Sequence, residues 1–79
     1  MSKEQEYNLK LILLAGREKK GYSQRKLAKK IGIHHSSLND LENGKIKNKG
    51  LKKSLEILEE LKYLVYQEYD TGMYTITLN

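Results

Sequence analysis

Apolar residues recur at helical spacing in four stretches of the chain, residues 3–20, 24–31, about 34–43 and about 51–62. In chain order, the apolar positions are Tyr7, Leu11, Leu14 and Ala15; Leu27 and Ile31; Leu38 and Leu41; and Leu51, Leu55, Leu58 and Leu61. Charged residues fill most of the positions between them. The pattern predicts four amphipathic helices, each with one face turned toward a shared core.

Residues that start and stop helices lie between these stretches. Gly21 ends the first helix, and Ser23 is placed to cap the amino terminus of the second. Gly32 is expected to end the second helix in a left-handed conformation, and Asn43-Gly44 closes the third. Residues 45–50 are therefore expected to form a basic loop.

The period of the pattern changes after residue 62. Residues 64–69 are rich in β-forming side chains, residues 70–72 read Asp-Thr-Gly, and residues 73–78 alternate again. This predicts a β-hairpin with a type I turn and a glycine bulge.

Residues 23–44 have the spacing of two helices that cross at a steep angle. Ala28 provides a small side chain where the backbones approach, and Gly32 provides the sharp turn. The apolar anchors beneath both helices are Leu27, Ile31, Ile33, Leu38 and Leu41. This is the pattern of a helix-turn-helix, with residues 24–31 as the positioning helix and residues 35–43 as the recognition helix.

Charge is distributed unevenly along the 79 residues. Residues 17–53 hold twelve Lys or Arg against three acids, a net +9, whereas residues 1–16 sum to zero and residues 54–79 to −4. A +9 segment favours a polyanion such as nucleic acid over a membrane, because no segment combines this basicity with an apolar face of the kind that lies in a lipid interface.

The absence of cysteine excludes disulfides and thiolate zinc sites. No segment is apolar enough to predict a signal peptide or a membrane span, so we expect a cytoplasmic protein.

The string REKKGYSQRKLAKKIGIHHSSLNDLENGK, residues 17–45, closely resembles the lambda-repressor/Cro-like, or Xre, family of bacterial and phage regulators. The resemblance extends more loosely over residues 9–62. It implies a mainly α protein, with a compact five-helix lambda-repressor-like DNA-binding domain in residues 1–62. The β-hairpin of residues 63–79 would follow this domain.

The resemblance also implies roles for individual residues toward double-stranded DNA. Arg17 and Glu42 look like the family's internal ion pair. The residues expected to contact phosphate are Arg17, Gln24, Asn43, Lys45 and Lys47. The residues expected to meet base edges in the major groove are His35, Ser36, Asn39 and Asp40, on the early exposed face of the recognition helix.

Two residues depart from the family pattern. Gly16 stands where the family usually has a large apolar residue, which predicts a weakened or kinked first helix. His34 stands where a Ser or Thr cap is usual, which leaves the start of the recognition helix open.

Several residues have a second interpretation. His34 and His35 cannot chelate a metal together, because neighbours on a helix point about 100° apart, so we predict no metal site; His35 faces DNA or is an ordinary surface residue. Ser37 is interpreted as packed or capping, with Ser36 the serine that reaches DNA. Asp40 would suit a base contact, since a carboxylate accepts from the cytosine amino group, or it is an intrahelical or capping partner.

The hairpin has two partly apolar faces and open edges, so it must pack against something. We predict that it forms a homodimer, and the alternative is an intramolecular cap on a monomer. The residues assigned to the dimer interface are Tyr63, Val65, Tyr66, Tyr69, Tyr74, Ile76 and Leu78.

The resulting functional prediction is a dimeric repressor, without cofactor or catalysis, that binds a palindromic operator. The alternative is an antitoxin-type module that neutralises a partner protein and regulates its own promoter. No acid/base or nucleophile pair is recognisable, so an enzyme is not expected.

Overall fold

The computed structural model describes residues 2–45 and 48–78, and for Asn48, Lys49 and Leu78 it describes the backbone alone. The elements, in chain order, are α1 (Lys3–Lys19), α2 (Gln24–Ile31), α3 (His35–Glu42), α4 (Asn48–Glu60), β1 (Tyr63–Gln67) and β2 (Tyr74–Leu78). In this part of the chain the protein is thus mainly helical, with a small C-terminal antiparallel sheet. None of the helices in it is long and apolar enough to cross a membrane.

The expectation of five helices is wrong, because the described residues form four. The boundaries of α4 also differ, since this helix begins at Asn48 and takes in residues expected to lie in the basic loop. A glycine such as Gly50 costs a helix interior only about 1 kcal/mol, which packing of the leucine face of α4 outweighs.

Local capping signals agree with the structure at both ends of α2. The Ser23 side chain accepts from the Lys26 N–H at 3.1 Å, and Gly32 adopts φ +77°. The Ser23 cap and the left-handed Gly32 are therefore confirmed. At the start of α1, Ser2 and Gln5 form a reciprocal capping box.

The buried face of α1 differs from the predicted face. Leu9, Leu13 and Gly16 are buried, whereas Tyr7 is 58% and Leu11 42% exposed. The segment carries two overlapping apolar stripes at helical spacing, and the pattern alone selected the wrong one. The side chains that build the core are Leu9, Leu13, Leu27, Ala28, Leu38, Leu41, Ile57, Leu58, Leu61, Tyr63 and Tyr74.

The predicted hairpin is present and packs across two helices of its own chain. Val65 pairs with Ile76 and Gln67 with Tyr74, while β1 contacts α4 and β2 contacts α1. Gly72 adopts φ +72° at the end of the turn. Because Tyr63 and Tyr74 are buried in the helical core, helices and hairpin share one hydrophobic core. The division into two units at residue 62 stays a prediction.

The hairpin also accounts for Gly16. A Cβ at this position would lie 3.1 Å from the Tyr63 ring and 3.2 Å from Leu58, so the aromatic ring occupies the space of a side chain. The Tyr63 hydroxyl donates to the Gly16 carbonyl at 3.0 Å. The expected kink is not seen, because α1 is continuous from Lys3 to Lys19, and a side chain from β1 fills the place of the missing one. The weakening of α1 stays a prediction.

Candidate nucleic-acid interface

The angle between α2 and α3 is set by small and apolar residues. Ala28, with no side chain beyond Cβ, is buried between the two helices, and its carbonyl accepts from the Ile33 N–H at 2.9 Å across the turn. Leu27 and Leu38 anchor the two helices in the core. One face of α3 is thereby fixed against the core, and the opposite face is left open.

A histidine caps the start of α3. The Nδ1 atom of His34 accepts from the Ser36 N–H at 3.2 Å and lies 2.7 Å from the Ser36 hydroxyl. Its ring stacks on His35, with the ring centroids 4.7 Å apart. The His34 imidazole therefore caps α3 in place of the usual Ser or Thr, and its contacts hold the side chains of Ser36 and His35 next to the ring.

The four predicted base-contacting residues share the open face of α3. Ser36, Asn39 and Asp40 are exposed, and His35 is half-buried. Asn43 is exposed at the end of the same helix. All of these side chains carry hydrogen-bonding groups, so the face is polar, and it is supported from below by Leu38 and Leu41.

Asp40 has a charged neighbour within its own chain. Its Oδ1 lies 3.7 Å from Nζ of Lys45, and both side chains are more than half exposed. An exposed pair of this kind contributes under about 1 kcal/mol. Its consequence is electrostatic, since Lys45 offsets the negative charge that Asp40 places on an otherwise basic surface. Lys45 lies beyond the end of α3, so this partner is neither the intrahelical nor the capping one of the second interpretation of Asp40.

Arg17 and Glu42 form a bidentate ion pair behind α3. Arg17 Nε is 2.7 Å from Glu42 Oε2, and Nη2 is 2.9 Å from Oε1. Only 11% of the Arg17 side chain and 3% of the Glu42 side chain are exposed. The hydrogen bond that Arg17 donates to Glu42 raises the pKa of Arg17 above its ordinary value. A third guanidinium nitrogen donates to the Tyr22 carbonyl at 2.8 Å. The pair ties α1 to the end of α3.

Gln24 is connected to the same ion pair. Its Nε2 donates to Glu42 Oε1 at 3.1 Å and to Asn39 Oδ1 at 3.3 Å. The donor group assigned to a DNA phosphate is therefore engaged within the protein. Of the other residues assigned to phosphate, Lys45 is exposed, and Lys47 lies outside the described residues.

Arg25 belongs to this surface, although the sequence did not single it out. Together with Lys29 it lines a shallow cleft beside His34 and His35. Its signal was present in the sequence, since Arg25 and Lys29 are four apart on the exposed side of α2.

The two histidines meet no further ligand in the described ranges. Residues 2–45 and 48–78 contain no group of three His, Cys, Asp or Glu side chains placed to hold a metal ion.

The residues assigned to dimerisation divide into two sets. Tyr63 and Tyr74 are buried in their own chain, and Val65 and Ile76 pack partly buried against the same core. Tyr66 is about half exposed and Tyr69 fully exposed. The side chain of Leu78 lies outside what the structure describes. In this conformation the free apolar surface of the hairpin is its outer face and tip, and the dimer itself stays a prediction.

Comparison with known proteins agrees with this geometry. A family model described as helix-turn-helix matches residues 13–63, which is about two thirds of the chain and includes α2, α3 and α4. Neither a search of curated proteins nor a search of solved structures found a match. The matched family is one of regulatory DNA-binding domains and not of enzymes. The chain therefore belongs to the lambda-repressor-like (Xre) helix-turn-helix family of DNA-binding transcription regulators.

Proposed function

We propose that the protein is a sequence-specific repressor that binds a palindromic operator as a dimer. The observation that carries the proposal is the open face of α3, where His35, Ser36, Asn39 and Asp40 stand together on a helix fixed by the core. An α-helix fits the major groove, and side chains on its first turns reach the base edges.

The proposed contacts to phosphate come from the surroundings of α3. Lys45 and Asn43 would engage the backbone, and exposed residues of α2 such as Arg25 add positive charge. Lys47, outside the described residues, keeps the phosphate contact proposed from the sequence. All three guanidinium nitrogens of Arg17 are hydrogen-bonded inside the protein, so Arg17 would contribute less to phosphate binding than the lysines do. Such contacts set affinity and register without reading sequence.

Asp40 and Lys45 would divide specificity and affinity between them. A carboxylate near phosphate weakens binding to every sequence, whereas at a base edge it accepts from the cytosine amino group. When α3 enters the groove, Lys45 moves from Asp40 to a phosphate, and Asp40 is released toward a base. The loss of the exposed pair costs little, because it contributes little in the free protein.

The test is selection of bound sequences from a random duplex pool at a stated salt concentration. We expect a palindrome with half-sites one helical turn apart, about 34 Å. Asp40→Ala should relax one position of the motif by roughly 1–3 kcal/mol, and Lys45→Ala should weaken all sequences alike and flatten the salt dependence. Lys3→Ala, an exposed lysine at the far end of α1, is the control. Failure to recover any motif contradicts the proposal.

The dimer is tested by sedimentation of point variants. Removing residues 63–79 is not informative, because it takes Tyr63 and Tyr74 out of the core. Leu64→Ser with Tyr66→Ser instead alters the exposed outer face of the hairpin and should produce a monomer. Tyr7→Ser, which alters a comparably exposed residue of α1, should leave the dimer intact. A wild-type monomer at all concentrations contradicts this part of the proposal.

The exposed outer face of the hairpin favours one other function, an antitoxin-type module that neutralises a partner protein. The hairpin lies in a segment of net charge −4, residues 54–79, and it presents Leu64, Tyr66 and Tyr69 to solvent. Large exposed tyrosines are common anchors of protein interfaces. The discriminating observation is a stable complex with the product of an adjacent gene, lost in a Tyr66→Ser/Tyr69→Ser variant that still selects the same DNA motif.

A further inference from the structure

A chain of hydrogen bonds with a fixed direction runs from α1 to the open face of α3. It begins at Arg17, whose guanidinium can only donate, and passes to the Glu42 carboxylate, which can only accept when ionised. The next member is Gln24, at 3.1 Å from Glu42 Oε1, and the last is Asn39, at 3.3 Å from Gln24.

This direction fixes the orientation of the Gln24 amide. An amide has a donating and an accepting end that have nearly the same shape, so its orientation follows from its partners. The Glu42 oxygen requires a donor, and therefore the NH₂ group of Gln24 faces it. The carbonyl end of Gln24 in that place would bring two acceptors together.

The orientation of Asn39 follows in turn. The NH₂ group of Gln24 that donates to Glu42 also faces Asn39. Asn39 must therefore accept through its carbonyl oxygen Oδ1. The opposite orientation would set two donors against each other. The Nδ2 group of Asn39, with its two hydrogens, is consequently the end left for a partner outside the protein, and the residue is exposed on α3.

We propose that Gln24 is a positioning residue that makes Asn39 present hydrogen-bond donors to the major groove, so that the base pair opposite Asn39 is read through guanine. Guanine is the base that shows two acceptors, N7 and O6, and no donor in that groove. An asparagine that reads adenine needs both of its ends free, and here Oδ1 is turned toward Gln24. The inference rests on the proposed function, since it requires α3 to enter the groove.

Reversing the polarity of one link tests the inference. In Gln24→Glu, the carboxylate faces Asn39 with an acceptor, so the Asn39 amide turns and presents Oδ1 to the groove. In Asn39→Asp, the carboxylate accepts from Gln24 and has only acceptors left for DNA. Both variants should exchange guanine for cytosine on the contacted strand, because cytosine offers an amino donor there. The Gln24→Glu variant also places a second carboxylate beside that of Glu42, so thermal unfolding is used to check that this variant folds. If the Gln24→Glu variant does not fold, Asn39→Asp tests the inference without it.

Asn43→Asp is the matched control. It introduces the same charge at another exposed asparagine of the α3 surface and should weaken binding to all sequences while leaving the motif unchanged. Gln24→Ala and Asn39→Ala should each reduce discrimination at the same single base pair about tenfold, and the double variant should reduce it no further.

The outcomes separate the inference from the function on which it rests. The inference is supported by a wild-type motif with a guanine that Gln24→Ala relaxes and Asn39→Asp converts. The inference is overturned if no position of the motif responds to Gln24→Ala, or if Asn39 determines an adenine or a cytosine in the wild type. Either result leaves the proposed repressor function unaffected. Recovery of no motif overturns the proposed function, and the inference with it.

Discussion

The side-chain amide of Asn8 is hydrogen-bonded to both backbone polar groups of Tyr74, 66 residues away in the sequence. Asn8 Nδ2 donates to the Tyr74 carbonyl at 3.0 Å, and Asn8 Oδ1 accepts from the Tyr74 N–H at 2.6 Å. At this one residue the amide satisfies the edge of β2 as a third strand would. It thereby fastens the hairpin to α1.

Removing this link should destabilise the protein. In Asn8→Ala the partly buried N–H and C=O of Tyr74 lose their partners, which should cost about 2 kcal/mol, or roughly 8–16 °C in Tm. Thermal unfolding followed by circular dichroism measures the effect. Asn43→Ala, which removes the same amide from an exposed position, should change Tm by only a few degrees, and equal losses in the two variants would show that the pairing with Tyr74 contributes nothing particular.

Alkaline pH should weaken the attachment of β1. Burial raises the pKa of Tyr63 above its ordinary value of about 10, so the folded state favours the protonated phenol. The stabilisation that follows is fully present below the unfolded pKa and is lost as the pH rises through the folded pKa. Unfolding in urea at a series of pH values from 8 to 12 should therefore show falling stability above about pH 10.

Two phenylalanine variants isolate the contribution of Tyr63 from that of lysine deprotonation. Tyr63→Phe loses the hydroxyl bond to Gly16, so it starts less stable by about 1 kcal/mol and falls less steeply above pH 10. Tyr66→Phe alters an exposed tyrosine and should follow the wild-type curve. Parallel curves for all three proteins would contradict the assignment.

The Arg17–Glu42 pair should be sensitive to loss of one partner and tolerant of losing both. Arg17→Met leaves the Glu42 carboxylate buried without its cation, at a cost of about 3–5 kcal/mol, which is enough to unfold much of a domain this small. Arg17→Met with Glu42→Leu removes both charges and should recover most of the loss. Denaturant unfolding of the two variants and the wild type gives the comparison.

The exposed pair Lys53–Glu56, with its charged atoms 3.9 Å apart, is the control for that experiment. Glu56→Ala should change the free energy of unfolding by no more than about 0.5 kcal/mol. A single Arg17→Met variant as stable as the wild type would show that the buried pair is not required for folding.

A buried hydroxyl offers a stabilising substitution. Ser54 is fully buried in α4, and its Oγ has no hydrogen-bond partner among the described residues. Ser54→Ala removes an unsatisfied polar atom and should be neutral or stabilising by up to about 1 kcal/mol. Ser37→Ala, at an exposed serine, provides the reference. A loss of more than 1 kcal/mol in Ser54→Ala would mean that the hydroxyl does have a partner.

Signals that lie close together in the sequence predicted their structures well. The Ser23 cap, the left-handed Gly32 and the hairpin all depend on a few neighbouring residues whose backbone preferences agree. The start of α4 was wrong because Gly50 and its polar neighbours look like a loop, and only packing of the leucine face extends the helix through them.

Relationships between distant residues could not be predicted. The choice between the two apolar stripes of α1 depends on which face α3, α4 and the hairpin cover. From the sequence alone, Gly16 predicted a weakened or kinked helix. The ring of Tyr63, 47 residues later, fills the place of its side chain, and no local pattern reveals that contact. The pairing of Asn8 with Tyr74 has no sequence signal, since an asparagine on a helix ordinarily faces water.

The site was predicted to the level of the face and not of the individual bond. Sequence spacing placed Asn39 and Asp40 on one side of α3, where the structure also has them. The links from Gln24 to Asn39 and from Asp40 to Lys45 depend on side-chain conformations that only the assembled helices determine. Those links are what the proposals on specificity use.

The contribution of β1 and β2 to the core has a consequence for synthesis on the ribosome. The first helix contacts the last strand, so a nascent chain that has exposed only residues 1–62 lacks Tyr63 and Tyr74 and leaves the Gly16 surface of α1 open. Such a chain cannot close its core until Tyr74 has left the exit tunnel. We therefore expect protease resistance of stalled nascent chains to appear abruptly after that point, instead of accumulating helix by helix.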